Sequence, residues 1–121
     1  MKKVIATVDA PKAVGPYSQA IEVNGTLYIS GQIPVNPADG KIQEEITAAA
    51  HQSLKNIGAI LKEAGMTYDN VVKTTVLLAD IADFKAVNEV YAEYFTGDKP
   101  ARACYQAAAL PLGVKVEIEA I

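Results

Sequence analysis

The spacing of apolar positions changes along the chain, and each change marks a new element. Between residues 44 and 64, Ile46, Ala50, Leu54, Ile57, Leu61 and Ala64 recur every three or four positions. That is the apolar stripe of an amphipathic helix, and Gly65 stands where a left-handed glycine ends one. Phe84, Val87, Tyr91 and Phe95 repeat the spacing, so a second helix, capped by Asp80 or Asp83, runs to about residue 95. Periodicity alone puts Phe84 in the core. Residues 2–7, 18–23, 26–31, 71–79, 101–110 and 114–121 are shorter apolar runs that read as strands.

Asn24-Gly25 between residues 18–23 and 26–31 is the preferred pair for a two-residue type I′ hairpin. Such a turn sets Val23 opposite Thr26, Gln19 opposite Ser30 and Ser18 opposite Gly31. Residues 15–18 and 30–34 therefore meet at one end of the hairpin. Pro111-Leu112-Gly113 is expected to join the last two strands as a second short hairpin. Residues 10–16, with two prolines and a glycine, and residues 35–41, with Pro37 and Asp39-Gly40, are loops.

The order β-β-β-α-β-α-β-β predicts one α+β domain over residues 1–121: a mostly antiparallel sheet with two helices on one face. Val71, Val72, Val76, Leu77 and Leu78 put apolar groups on both sides of their strand. Two-sided apolar strands belong in sheets covered on both faces, and two helices cover only one. Another subunit is expected on the second face, making the protein a homo-oligomer.

Composition removes several classes of function. The 121 residues carry a net charge of −3, with ten lysines scattered among them and a single arginine. No basic stripe offers a phosphate-backbone footprint, so no nucleic-acid partner is expected. One cysteine and one histidine, far apart in sequence, supply neither an internal disulfide nor the usual zinc ligands, so no metal is expected; with no phosphate-binding loop, Rossmann glycine pattern or lysine Schiff-base context, no cofactor is expected either. The apolar run at residues 4–8 stops at Asp9 and is too short for a signal peptide core. No stretch approaches the ~20 apolar residues of a membrane span. The expectation is a soluble, cytoplasmic protein without a membrane partner.

Arg102 is the most informative residue, the only arginine in a chain that otherwise uses lysine. Its planar fork matches a carboxylate in a way lysine cannot copy. Taken alone it reads first as a solvated arginine at a sheet edge. Glu117 and Glu119 share one face of the last strand. A symmetric closing hairpin would bring one of them near Arg102 or Cys104, to pair with the guanidinium or act as a base on water; a plain half-exposed strand is the other reading. Cys104 is a small hydrophobe, or a nucleophile needing His51 as base, and His51 falls on the polar side of its helix. Gly31 beside Tyr17 and Ser30 is either a bulge or a point of close approach for a ligand. Phe84 and Asn88, four apart, share a helix face.

Together these segments resemble a known family. Gly15-Pro16-Tyr17-Ser18-Gln19-Ala20, Ser30-Gly31-Gln32-Ile33-Pro34, Val72-Lys73-Thr74-Thr75-Val76, Pro100-Ala101-Arg102, Leu110-Pro111 and Val116-Glu117-Ile118-Glu119-Ala120 occur in this order. Their order and spacing are similar to the RidA (YjgF-like) imine deaminases over nearly the whole chain, although residues 95–100 are a few residues shorter than the family pattern. The resemblance implies a chorismate-mutase-like homotrimer, with helices outside and ligand clefts between subunits. It implies hydrolysis of 2-iminobutanoate and 2-iminopropanoate to 2-oxo acids and ammonia. Arg102 would hold the substrate carboxylate and Glu117 would position or activate water. The backbone at Cys104 would sit near the imine nitrogen, and Tyr17, Ser30 and Gly31 would line the cleft. Phe84 and Asn88 would come from the adjacent subunit. Two other classes stay open: a non-catalytic trimer that binds 2-oxo acids or amino acids to regulate a partner, and an RNA-acting translation inhibitor.

Overall fold

Asn24 and Gly25 both adopt positive φ, 52° and 78°, and form the tight turn their sequence predicts. In the computed structural model, which describes residues 1–121, this turn joins β2 (Ala20–Val23) to β3 (Thr26–Gln32), with Val23 opposite Thr26. The other strands are β1 (Lys3–Ile5), β4 (Lys73–Leu78), β5 (Ala101–Gln106) and β6 (Val116–Ala120). They form one sheet in the order β1-β2-β3-β6-β4-β5, in which only β4 and β5 run parallel. The mostly antiparallel α+β architecture stands as the pattern predicts.

The two helices are α1 (Ile46–Glu63) and α2 (Phe84–Tyr94). The Glu45 side chain accepts from the Thr47 amide to cap α1, and Gly65, at φ 74°, ends it. Asp80 accepts from the Ala82 amide at 2.9 Å and starts the turn leading into α2. Asp83 makes no capping bond. Both helices lie on one face of the sheet. There Leu54, Ile57, Ile60 and Val87 pack with Val76, Leu78, Val116 and Ile118, all buried. Burying each such side chain contributes about 1.5–3 kcal/mol, so this layer anchors the sheet. No helix is long and apolar enough to cross a membrane.

Two buried amides fix the loops around the hairpin's open end. Gln19 accepts from the Thr7 amide at 2.7 Å and donates to the Pro11 carbonyl at 2.8 Å. Asn56 on α1 donates to the carbonyls of Ile33 and Val35, at 3.2 and 3.0 Å.

The expected closing hairpin does not form. β5 and β6 lie on opposite sides of β4 and do not touch as neighbours. α2 carries the chain across the sheet, and a strand returning from a helical crossover adds parallel to the strand it left. Residues 107–115 then pass back over β4: the Ala107 amide donates to Leu78 and the Ala79 amide to Lys115. β5 also stops at Gln106 rather than continuing to residue 110.

The second face of the sheet has no cover within the chain. Tyr28, Leu77 and Tyr105 lie on it, Tyr28 and Tyr105 about half exposed at 47% and 53%.

Candidate active site

β5 is an edge strand, and residue parity decides which way each side chain leaves it. Arg102 is the register partner of buried Thr74 in β4, so its side chain emerges on the helix face. α2 meets it there with Phe84, Asn88 and Tyr91, spaced four and three, which is one stripe of a helix. Asn88 Oδ1 accepts from Arg102 Nη1 at 2.8 Å. The guanidinium carbon lies 4.8 Å from the centre of the Tyr91 ring and 5.6 Å from that of Phe84. Arg102 has no carboxylate partner in its own chain. Of its five donors, one is taken, and the fork is free to grip an anion.

Phe84 does not enter the core. It stands at the first position of α2 and is 39% exposed, because the stripe it begins reaches β5 at the sheet's edge rather than its middle. Phe84 and Asn88 also flank Arg102 within one chain. The expectation that they and Arg102 reach the cleft from different subunits is therefore corrected.

Cys104 sits two residues on, opposite Val76 and on the same face as Arg102. Burial pushes its thiol up, against the pull of the Arg102 charge, so it stays protonated at neutral pH. His51 is engaged elsewhere: Nδ1 is 2.7 Å from the Tyr94 hydroxyl, between the two helices. The nucleophile reading of Cys104 loses its base.

Glu117 leaves β6 on the opposite face. Its partner in β4 is Leu77, which pairs in turn with Tyr105. Between Ile29 and Gln32, β3 carries one more residue than β6 has to match it. This bulge falls at Ser30-Gly31. Gly31 leaves room there for the carboxylate: a Cβ built on it would lie 2.5 Å from Glu117 Oε2. Burial raises the Glu117 carboxyl above the usual range, and the Glu119 charge raises it further. Such a group is a stronger base once ionised. Ser30 Oγ donates to the Ser18 carbonyl at 2.6 Å. Tyr17, Ser18, Ile21, Tyr28 and Ser30 line an open depression of about 430 Å³, which Arg102 does not reach.

The chain thus sorts these residues into two groups. Arg102, Asn88, Phe84 and Cys104 are together at the β5 edge on the helix face. Glu117, Gly31, Ser30 and Tyr17 belong to the uncovered side. Residues 102 and 117 differ in parity across the β4 register, so no single chain brings Arg102 and Glu117 into one cleft. This corrects the closing-hairpin expectation that placed them side by side. Sequence reasoning missed Tyr91 and Thr74 as neighbours of Arg102. The signal was available for Tyr91, which stands three positions after Asn88; Thr74 became visible only with the β4–β5 register.

The family profile described as Endoribonuclease L-PSP matches residues 7–121. A mouse protein named 2-iminobutanoate/2-iminopropanoate deaminase is 57% identical, covering 100% of this chain and 90% of its own length. A Rid-family protein of Yersinia pestis superposes with a TM-score of 0.97 at 50% identity, over 99% of this chain and 97% of that one. The Escherichia coli protein TdcF, crystallised with bound serine, superposes at 0.95 with 42% identity, over 98% of this chain and 95% of that one.

Proposed function

The chain belongs to the Endoribonuclease L-PSP family, in which the RidA and YjgF proteins fall, and we propose that it hydrolyses 2-imino acids such as 2-iminobutanoate and 2-iminopropanoate. The products are the 2-oxo acid and ammonia. The observation that carries this reading is Arg102: a lone arginine, fixed on one side by Asn88 and two rings, with the rest of its fork free for a carboxylate.

The working unit is a homotrimer of chorismate-mutase-like form. The β5 edge of one subunit closes over the uncovered sheet face of the next, so that Arg102 of one chain meets Glu117 of another. Three observations support it: the bare second face, the placement of the two half-sites, and the free guanidinium.

In that cleft Arg102 grips the substrate carboxylate by charge-assisted hydrogen bonds, worth about 1.5–3 kcal/mol. The imine carbon is already electrophilic and needs chiefly water and orientation. Glu117 takes a proton from water as the new C–O bond forms and the C=N electron pair moves to nitrogen. Glu117 passes that proton on to nitrogen, which leaves as ammonia when the carbinolamine hydroxyl gives its own proton to the carboxylate and the C=O bond forms. One such base contributes about 10²–10⁴ in rate. The backbone at Cys104 holds the nitrogen end, and Tyr17, Ser30 and Gly31 shape the wall around the side chain.

The name of the family profile points to RNA cleavage. A net charge of −3 with scattered lysines offers no footprint for a phosphate backbone, and the carboxylate grip favours a small acid. The test is a coupled assay with threonine dehydratase, which releases the imine. Faster appearance of 2-oxobutanoate on adding this protein is the expected result. Binding of 2-oxobutanoate with no acceleration would instead make the trimer a ligand-binding regulator.

A further inference from the structure

The free fork of Arg102 needs a direction as well as a charge, and the structure holds it with more than Asn88. Tyr91 is 6% exposed. Its ring lies under the guanidinium, 4.8 Å from the central carbon, and packs against Phe95, with ring centres 4.5 Å apart. Its hydroxyl shares a buried hydrogen bond with Thr74 Oγ1 at 2.7 Å. Thr74 is in turn the residue of β4 directly paired with Arg102. The ring is therefore keyed to the same strand position from which the arginine projects. We infer that Tyr91, tied to Thr74, is a positioning residue that sets the plane of the Arg102 fork for the substrate carboxylate.

The physical case has two parts. A guanidinium over an aromatic face is attracted by the ring quadrupole. A cation held over a ring that cannot turn loses part of its own freedom to turn. With one edge bonded to Asn88, one orientation remains. Without the hydroxyl tie, the ring can tilt and the fork with it. An arginine that enters the cleft already oriented binds a carboxylate without first ordering four side-chain torsions.

The inference rests on the carboxylate-gripping role assigned to Arg102, and its test separates the two. Because Arg102 is the only arginine, a nitrogen-15 spectrum of the intact protein contains one arginine Nε–H signal. Ring-current shielding by Tyr91 should place it away from the position of a solvated arginine. Tyr91→Leu should return it toward that position and weaken 2-oxobutanoate binding by roughly 2- to 30-fold, the range of cation–π contributions. Tyr91→Phe keeps the ring and the shape. It should broaden the signal and weaken binding by about 3-fold, as expected for losing one modest hydrogen bond. Both losses should vanish when each change is made on top of Arg102→Gln, with affinities read by NMR titration at millimolar ligand. An arginine signal at the solvated position in the wild type, or losses that persist in full in the Arg102→Gln background, would overturn the inference. If the shielded signal responds to Tyr91 while the wild type binds no 2-oxobutanoate, the positioning of Arg102 stands and its carboxylate-gripping role fails.

Discussion

On the helix side of the sheet, Arg102 is held by side chains of its own chain: Asn88 bonded to Nη1, with the Tyr91 and Phe84 rings beside it. On the bare side, Glu117 has no such frame. It rests against Gly31 with Glu119 as its charged neighbour, on a face with no helix over it. One half-site is finished within the chain; the other is finished only when something covers it. The difference separates binding from chemistry. On the proposed reading, the anion grip is built into the monomer fold, whereas the base acquires its surroundings by assembly. Changes at Arg102 should act on affinity, and changes at Glu117 on turnover.

The largest effect should come from Glu117→Gln. Glutamine keeps the size and can still bond a water but cannot take its proton, so turnover should drop about 10²–10⁴-fold. The affinity for 2-oxobutanoate by calorimetry should stay nearly constant. A collapse of binding with a proportional fall in turnover would make Glu117 a wall of the cleft. Arg102→Lys comes next. It keeps the charge and loses the fork, so kcat/KM should fall about 10- to 100-fold through KM, with circular dichroism unchanged. Full activity with lysine would dissolve the contrast between the two halves.

Gly31→Ala tests the bare side without touching a charge. The added carbon would lie 2.5 Å from the Glu117 carboxylate, which must move. A displaced catalytic group of this kind costs up to about 10²-fold in turnover. Wild-type kcat in Gly31→Ala would mean that the carboxylate need not sit there. Glu119→Gln should be close to neutral near pH 7, but it should shift the acid limb of the pH–rate profile. In the proposed role Glu117 works ionised. Because burial and then Glu119 raise its pKa, activity should be lost on acidification at a higher pH than for an ordinary glutamate. Removing the Glu119 charge should move that limb down. A limb that stays in place would assign it to another group.

The parts legible in the sequence were those governed by local chemistry. Asn24-Gly25 predicts the hairpin and its register, the periodicity of residues 44–64 predicts α1, and Gly65 predicts its end. All three rest on backbone preferences that act within a few residues. The contact of Gly31 with Glu117 also follows a local hint, a glycine at a strand end. What escaped was tertiary. Pro111-Leu112-Gly113 looks like a hairpin turn, but the crossover through α2 had already placed β5 beyond β4, leaving β6 to enter on β4's other side. That one displacement puts Arg102 and Glu117 on opposite faces. Phe84 escaped for a related reason, since a helical stripe does not say where along the sheet it lands. Family resemblance named the site residues, and the sheet register sorted them into two groups.

Whether those groups meet across subunits is tested by mixing two inactive proteins. Arg102→Gln and Glu117→Gln variants would each be purified, checked for an intact oligomer, then unfolded together in equal amounts and refolded. If each site takes Arg102 from one chain and Glu117 from the next around a closed ring, random mixing makes about one site in four fully wild type. The coupled dehydratase assay should then recover about a quarter of wild-type turnover from two preparations that have almost none. A mixture no more active than its parents would contradict the shared site, and would mean that Arg102 and Glu117 do not serve the same reaction.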